Sequence, residues 1–306
     1  MTQKIKLQHY VPRFYLQSFR TQGGDTNPYC FDKSECKSFK GKNIACESYF
    51  YDISEDGNQA VETGFSYLES LFKYSYDKLV STQDLCRLNS EEKKVMAYFV
   101  ATQLVRTKEN REAYRDFYRQ VIETLSKGNL PKESREQLKL QFAITEEEVA
   151  LQSFVTEEEL KIVHIGMLQY VPYCVDKFSR MKWVLNINSF TMPYWSSDNP
   201  VTRSNPIDHW PYNSVSLSLK GIQVHLPLSP VLSLCICDPV MYNYLPSNFE
   251  ITDVQSIKAA DYLQVYWSTR YVFSNKNDFS FAEAIIQKNP TLADPKRDRF
   301  RVLPLS

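Results

Sequence analysis

Glycine is scarce, with 8 in 306 residues. Loops that cradle phosphates are built on glycine because the backbone must come within hydrogen-bonding range of the ligand. Neither GxGxxG nor GxxxxGK[ST] occurs. Histidine is scarcer still: His9, His164, His209 and His225 are the full set. No two of them stand at metal-ligand spacing and HExxH is missing, so neither a metal site nor a cofactor is expected. No GxSxG elbow or other recognisable nucleophile setting is found, nor a strand-borne Asp…Glu-x-Lys nuclease motif. Net charge is absent too: 36 Lys and Arg balance 36 Asp and Glu. No global field therefore recruits nucleic acid or acidic lipid, although a local groove remains open. No apolar run approaches the roughly 18 residues that span a bilayer, and the first residues lack the apolar stretch of a secretory signal. Seven cysteines, an odd number, include no CxxC pair. They read as plain thiols, and the cytoplasm is the simplest expected location.

Aromatic residues are plentiful, with 20 Tyr and 18 Phe. They crowd the beginning of the chain, Gln8-His9-Tyr10-Val11-Pro12-Arg13-Phe14-Tyr15-Leu16-Gln17-Ser18-Phe19. A segment this apolar is expected to dock instead of fraying, and docking carries His9 and Arg13 with it.

Further on, Asn27 to Phe39 reads as a hairpin with Lys33-Ser34-Glu35 near its tip. A helix is predicted from about Gln59 to Val80, with Val61, Phe65, Leu68, Phe72, Tyr76 and Leu79 on one face and Glu62 and Glu69 on its flank. A second helix opens at an Asn89-x-x-Glu92 cap and is predicted to run to about Lys127. On its helical wheel, with Val95 at zero, Arg106 falls at roughly 20°, Gln103 at roughly 80° and Thr107 at roughly 120°. These polar groups continue the apolar face. A buried arginine needs a carboxylate or several acceptors; either Glu62 or Glu69 would serve, or else an anionic ligand. Thr145-x-x-Glu148 and Thr156-x-x-Glu159 cap two more helices, and Pro172 kinks or ends the second. His164 reads as a packed helix residue. From Met181 strands prevail: Trp183–Asn188, Ile222–Leu226 and Val231–Cys237. A helix (about Asp253–Ser268), a strand (Tyr271–Ser274) and a helix (Phe281–Lys288) follow. The fold class expected is α+β in a single domain spanning 1–306. Residues 55–180 are helix-rich and pack on a small antiparallel or mixed sheet within strand-rich 181–306, with residues 1–20 docked between them.

Four stretches, Gln8-His9-Tyr10-Val11-Pro12-Arg13-Phe14-Tyr15-Leu16, Gln103-x-x-Arg106-Thr107, Ser197-Asp198-Asn199-Pro200-Val201 and Pro227-Leu228-Ser229-Pro230, occur in this order. Together they resemble domain-of-unknown-function family 4238, over nearly the whole chain. The HYVP start is the most specific of the four. The resemblance implies a bacterial protein and brings no activity with it. Trp195-Ser196-Ser197 departs mildly from the Thr-Ser that more often precedes the Asp.

The polar residues inside these motifs, His9, Arg13, Gln103, Arg106, Asp198 and Asn199, are the candidate site. Two functions fit them. In the first, a hydrolase acts on a phosphoester or other anionic substrate: His9 is the acid/base, Asp198 orients it, and Arg106 holds charge with Arg13, Gln103 and Asn199. In the second, a non-enzymatic ligand-sensing or protein-interaction module uses the same residues to bind an anion or lock the fold. Ser-Asp-Asn-Pro is also a turn signal in its own right. The partner in either case is an anionic small molecule or a nucleic acid, not a membrane, and a homodimer is possible.

Overall fold

Capping chemistry written in the sequence places several of the helices in the computed structural model, which describes residues 4–21, 27–53, 59–128, 130–151, 155–208 and 215–299. His209 lies outside them. The N-terminal part contains β1 (Leu7–His9), α1 (Arg13–Leu16), β2 (Tyr29–Asp32), β3 (Lys37–Lys40) and β4 (Cys46–Ser48). The helical middle runs through α2 (Ala60–Thr82), α3 (Ser90–Val105), α4 (Lys108–Ser126), α5 (Lys132–Phe142), α6 (Glu146–Leu151), α7 (Glu157–Gly166) and α8 (Val171–Arg180). The rest comprises β5 (Lys182–Ile187), β6 (Ser196–Ser197), β7 (Thr202–Ser204), β8 (Gln223–Ser229), β9 (Leu232–Cys237), α9 (Pro239–Tyr242), β10 (Asn248–Glu250), α10 (Val254–Trp267), β11 (Tyr271–Ser274) and α11 (Ser280–Lys288). The fold is α+β, and no helix among the described residues is long and apolar enough to cross a membrane.

The Asn89 and Thr156 capping boxes open α3 and α7 as their sequences require, each side chain accepting from the backbone N–H three residues on. Pro172 does not break a helix midway. It stands in the first turn of α8, where its missing N–H has no partner to lose.

The predicted Asn89–Lys127 helix is two helices. α3 stops at Arg106, and Thr107 adopts an extended conformation before α4 begins. Thr107 makes no cap bond to α4: its hydroxyl donates to Asn199 Oδ1 at 2.8 Å and accepts from Asn110 Nδ2 at 3.2 Å.

Three sheets form. β1 pairs with β4; the order β10-β5-β9-β8-β7 makes a five-stranded sheet; β3-β2-β11-β6 makes a four-stranded one. The five-stranded sheet is mixed, with β10 parallel to β5 and every other pair antiparallel. The four-stranded sheet takes in the N-terminal hairpin, so that strand material from both ends of the chain lies side by side. Pro227–Ser229 lies within β8, at a register shift against β9.

The largest core cluster draws on the whole length of the chain: Tyr10, Tyr15 and Phe19; Phe72 and Tyr76 of α2; Phe99 of α3; Phe178 of α8; Leu226 and Leu234 of the five-stranded sheet; and Phe273 of β11. Burial of so many large aromatic side chains, at ~25 cal/mol per Å² of apolar surface, is the main stabilising term for the fold.

Candidate functional site

The first motif is held by its backbone. β1 is a three-residue strand whose two ends are fixed, the entry by Tyr49 N–H donating to Lys6 O at 2.8 Å and the exit by Tyr10 N–H donating to Ala45 O at 3.0 Å. Gln8 is fully buried: its amide donates to Asp52 at 2.6 Å and its carbonyl accepts from Tyr51 N–H at 2.7 Å. The end of α3 then reaches the two carbonyls that follow. Gln103 Nε2 donates to Tyr10 O at 2.9 Å, and Arg106 Nη2 donates to His9 O at 2.5 Å.

Arg106 has its charge answered inside the protein. Its Nη1 pairs with Glu69 at 2.9 Å, its Nε donates to the Tyr51 hydroxyl at 3.3 Å, and its guanidinium lies 4.1 Å from the Phe65 ring centroid. Its side chain is 2% exposed. Of the two glutamates the sequence offered, Glu69 is the partner. Glu62, half-buried nearby, is pushed up to about 7 by burial, which outweighs the opposing pull of Arg106.

Asp198 is equally occupied. Its Oδ1 accepts from Thr269 N–H at 2.8 Å, and its Oδ2 from Arg270 N–H at 2.8 Å and Tyr271 N–H at 3.0 Å. The carboxylate thereby closes the turn between α10 and β11. Burial pushes its pKa up, partly countered by Lys33 and these amides. Asn199 bridges further, accepting from Thr107 and donating Nδ2 to Trp267 O at 3.0 Å. The Tyr15 hydroxyl meets Ser196 Oγ at 2.7 Å and donates to Pro227 O at 2.6 Å, while Tyr76 donates to Leu228 O. All four motif stretches are thus linked by hydrogen bonds, and the Tyr15 hydroxyl, which is not in the candidate set, carries the link to Pro227.

His9 and Asp198 are not joined by a hydrogen bond among the described residues. The His9 ring is half-buried beside Arg13 and Arg106, and desolvation followed by these two cations lowers its pKa to about 4. Arg13 is exposed in α1. Cross-strand register sets Cys46 opposite His9. His164 is buried and satisfied: its Nδ1 faces Arg111 Nη2 at 3.2 Å and its Nε2 faces Val105 O at 3.1 Å. Because a guanidinium only donates, Nδ1 must accept and the proton sits on Nε2.

Sequence reasoning missed a second buried polar cluster. Lys33 stands at the hairpin turn as expected, but it is fully buried, and its ammonium donates to the carbonyls of Val265 at 2.8 Å and Ser268 at 2.7 Å. Burial is the largest of the effects that lower its pKa. Glu109 accepts a two-pronged contact from Arg299, at 2.8 and 3.0 Å, as well as Arg297 Nη2 at 2.9 Å and the Thr269 hydroxyl at 2.8 Å. Thr269 therefore bonds both Asp198 and Glu109. Nothing local in the sequence marks Lys33 or Glu109, because their partners lie 160 or more positions away. No group of three or more His, Cys, Asp or Glu among the described residues is placed to hold a metal ion.

With this geometry in place, comparison with known proteins adds one finding. The family described as "Protein of unknown function (DUF4238)" matches residues 7–278. The chain belongs to DUF4238. No curated protein matches it, and no solved structure does. The matched DUF4238 region takes in Glu109 and Thr269 and stops before Arg297 and Arg299, so the two arginines that clasp Glu109 lie outside it.

Proposed function

We propose that this DUF4238 protein is a non-catalytic ligand-binding module whose motif residues form the scaffold that locks it into one domain. The observation that carries this reading is saturation. Arg106 is committed to Glu69, His9 O and Tyr51, and Asp198 to three backbone amides. A substrate would have to displace these bonds and leave buried groups unpaired, at about 1–3 kcal/mol each. The hydrolase alternative asks His9 to act as acid or base with Asp198 behind it. A ring held at about 4 is neutral at pH 7, which removes its use as a general acid. Asp198, engaged with the 269–271 backbone, has no oxygen free of amides to orient it. Free thiols at all seven cysteines suit a cytoplasmic setting.

The test compares His9→Ala with the wild-type protein in thermal melting and in turnover of a generic phosphomonoester. The scaffold reading expects no turnover that depends on His9. Hydrolysis lost in His9→Ala at an unchanged Tm would sink it and restore the enzyme.

A further inference from the structure

A second place in the molecule has cations without answering charges. A cavity of about 340 Å³ opens between the turn after α2, the first turn of α3, the α8–β5 junction and the segment following α9. Lys93, Arg180 and Lys182 line it together with Trp183, Asn243 and Ser247, and no lining residue is a carboxylate.

Neither Lys93 nor Lys182 has a carboxylate partner among the described residues. The Lys93 ammonium sits 5.1 Å from the Trp183 ring centroid, which gives it a cation–π contact but no counter-charge. Burial, then repulsion from Lys182, lowers its pKa. Arg180 does have an anion, Asp176 at 2.7 Å, but that pair is one turn apart on a helix and largely exposed, where such bonds are weak and exchangeable. Several other cations in this fold are answered by carboxylates: Arg106 by Glu69, Arg270 by Asp32, and Arg297 and Arg299 by Glu109. Two like charges held toward one another in a partly desolvated cavity raise the free energy until an anion enters.

We propose that this cavity binds a small molecule through a phosphate group carrying at least two negative charges. The two ammonium groups and the guanidinium supply the charge, and the Asn243 amide and Ser247 hydroxyl supply neutral bonds. Leu85 and Leu88 offer an apolar wall to the rest of the ligand. The volume lies at the small end of ligand sites, which suits a phosphorylated metabolite and not an extended nucleic acid. This proposal rests on the binding-module reading and names its ligand class. It is read by ligand response, whereas the scaffold is read by stability and turnover, so each fails separately.

The experiment titrates the full chain with inorganic pyrophosphate in a calorimeter at low salt. Saturable binding is expected, weakening as ionic strength rises. Lys93→Gln and Lys182→Gln should each raise Kd by about tenfold or more while folding normally, since each removes a charge-assisted hydrogen bond. Lys288→Gln, at an exposed lysine near the end of α11 that does not line the cavity, should leave the titration unchanged. Absence of binding, wild-type affinity in either lysine variant, loss of binding in Lys288→Gln, or binding of a duplex oligonucleotide in place of pyrophosphate would each overturn the assignment.

Discussion

Replacing Arg106 with alanine exposes the scaffold to its hardest challenge. The side chain is 2% exposed and Glu69 is 24% exposed. Breaking a buried ion pair by removing one partner typically costs about 3–5 kcal/mol, and partial rehydration of Glu69 draws the figure to the lower end. The His9 carbonyl then keeps only a long contact from the Tyr51 hydroxyl at 3.5 Å, which adds about 1 kcal/mol. Loss of the Phe65 stacking adds about 0.5–1 kcal/mol. These contributions share atoms and do not sum, so the expected loss is about 4 kcal/mol. With about 2.1 cal/mol/K of unfolding entropy per residue over 306 residues, that corresponds to a Tm lower by about 6 °C. Urea denaturation followed by circular dichroism measures the first figure and calorimetry the second. Arg106→Lys, which keeps charge but loses the fork, should fall between the two proteins. If Arg106→Ala stays within about 1 kcal/mol of wild type, the arginine is not a structural lock and the reasoning fails.

Two further outcomes follow from the same geometry. Asp198→Ala removes the acceptor for three buried amides and should destabilise by about 3 kcal/mol in urea titration, whereas a change below about 1 kcal/mol would mean those amides find other partners. His164 is neutral in the fold, its pKa lowered to about 3 by burial and then Arg111, and titrates near 6.5 once unfolded. Its stabilising contribution is therefore complete above about pH 6.5 and shrinks as pH falls toward 3. The stability advantage of wild type over His164→Gln should narrow by up to about 1.4 kcal/mol per pH unit in that window, and an advantage that grows on acidification would reverse the sign.

Much of this architecture was legible because it is local. Asn89 and Thr156 name their helix starts through the glutamate three residues on, and Asp253 caps α10 where a helix was expected. The wheel position of Arg106 also announced a buried cation in need of a carboxylate, and Glu69 is seven residues from Glu62 on the flank where one was sought. What stayed hidden depends on distant partners. Thr107, where the helix breaks, is held by Asn199, and Lys33 in the hairpin turn is buried because its ammonium reaches carbonyls 232 and 235 positions away. Asp198 carried two readings at the start, turn and orienting acid, and three amides that no local pattern places beside it now occupy it. The Lys93–Lys182 cavity left no sequence signal, since two ordinary lysines 89 positions apart acquire meaning only when α3 and β5 bring them together.

The most direct measurement is amide hydrogen exchange at Tyr10, whose N–H donates to Ala45 O just after β1. If the N-terminal segment is a locked part of the core, this amide exchanges only through global unfolding, and its protection free energy matches the total stability of the protein and falls with it in Arg106→Ala. Exchange at Tyr10 through a far cheaper local opening, in a chain whose α3 amides remain fully protected, would contradict the account.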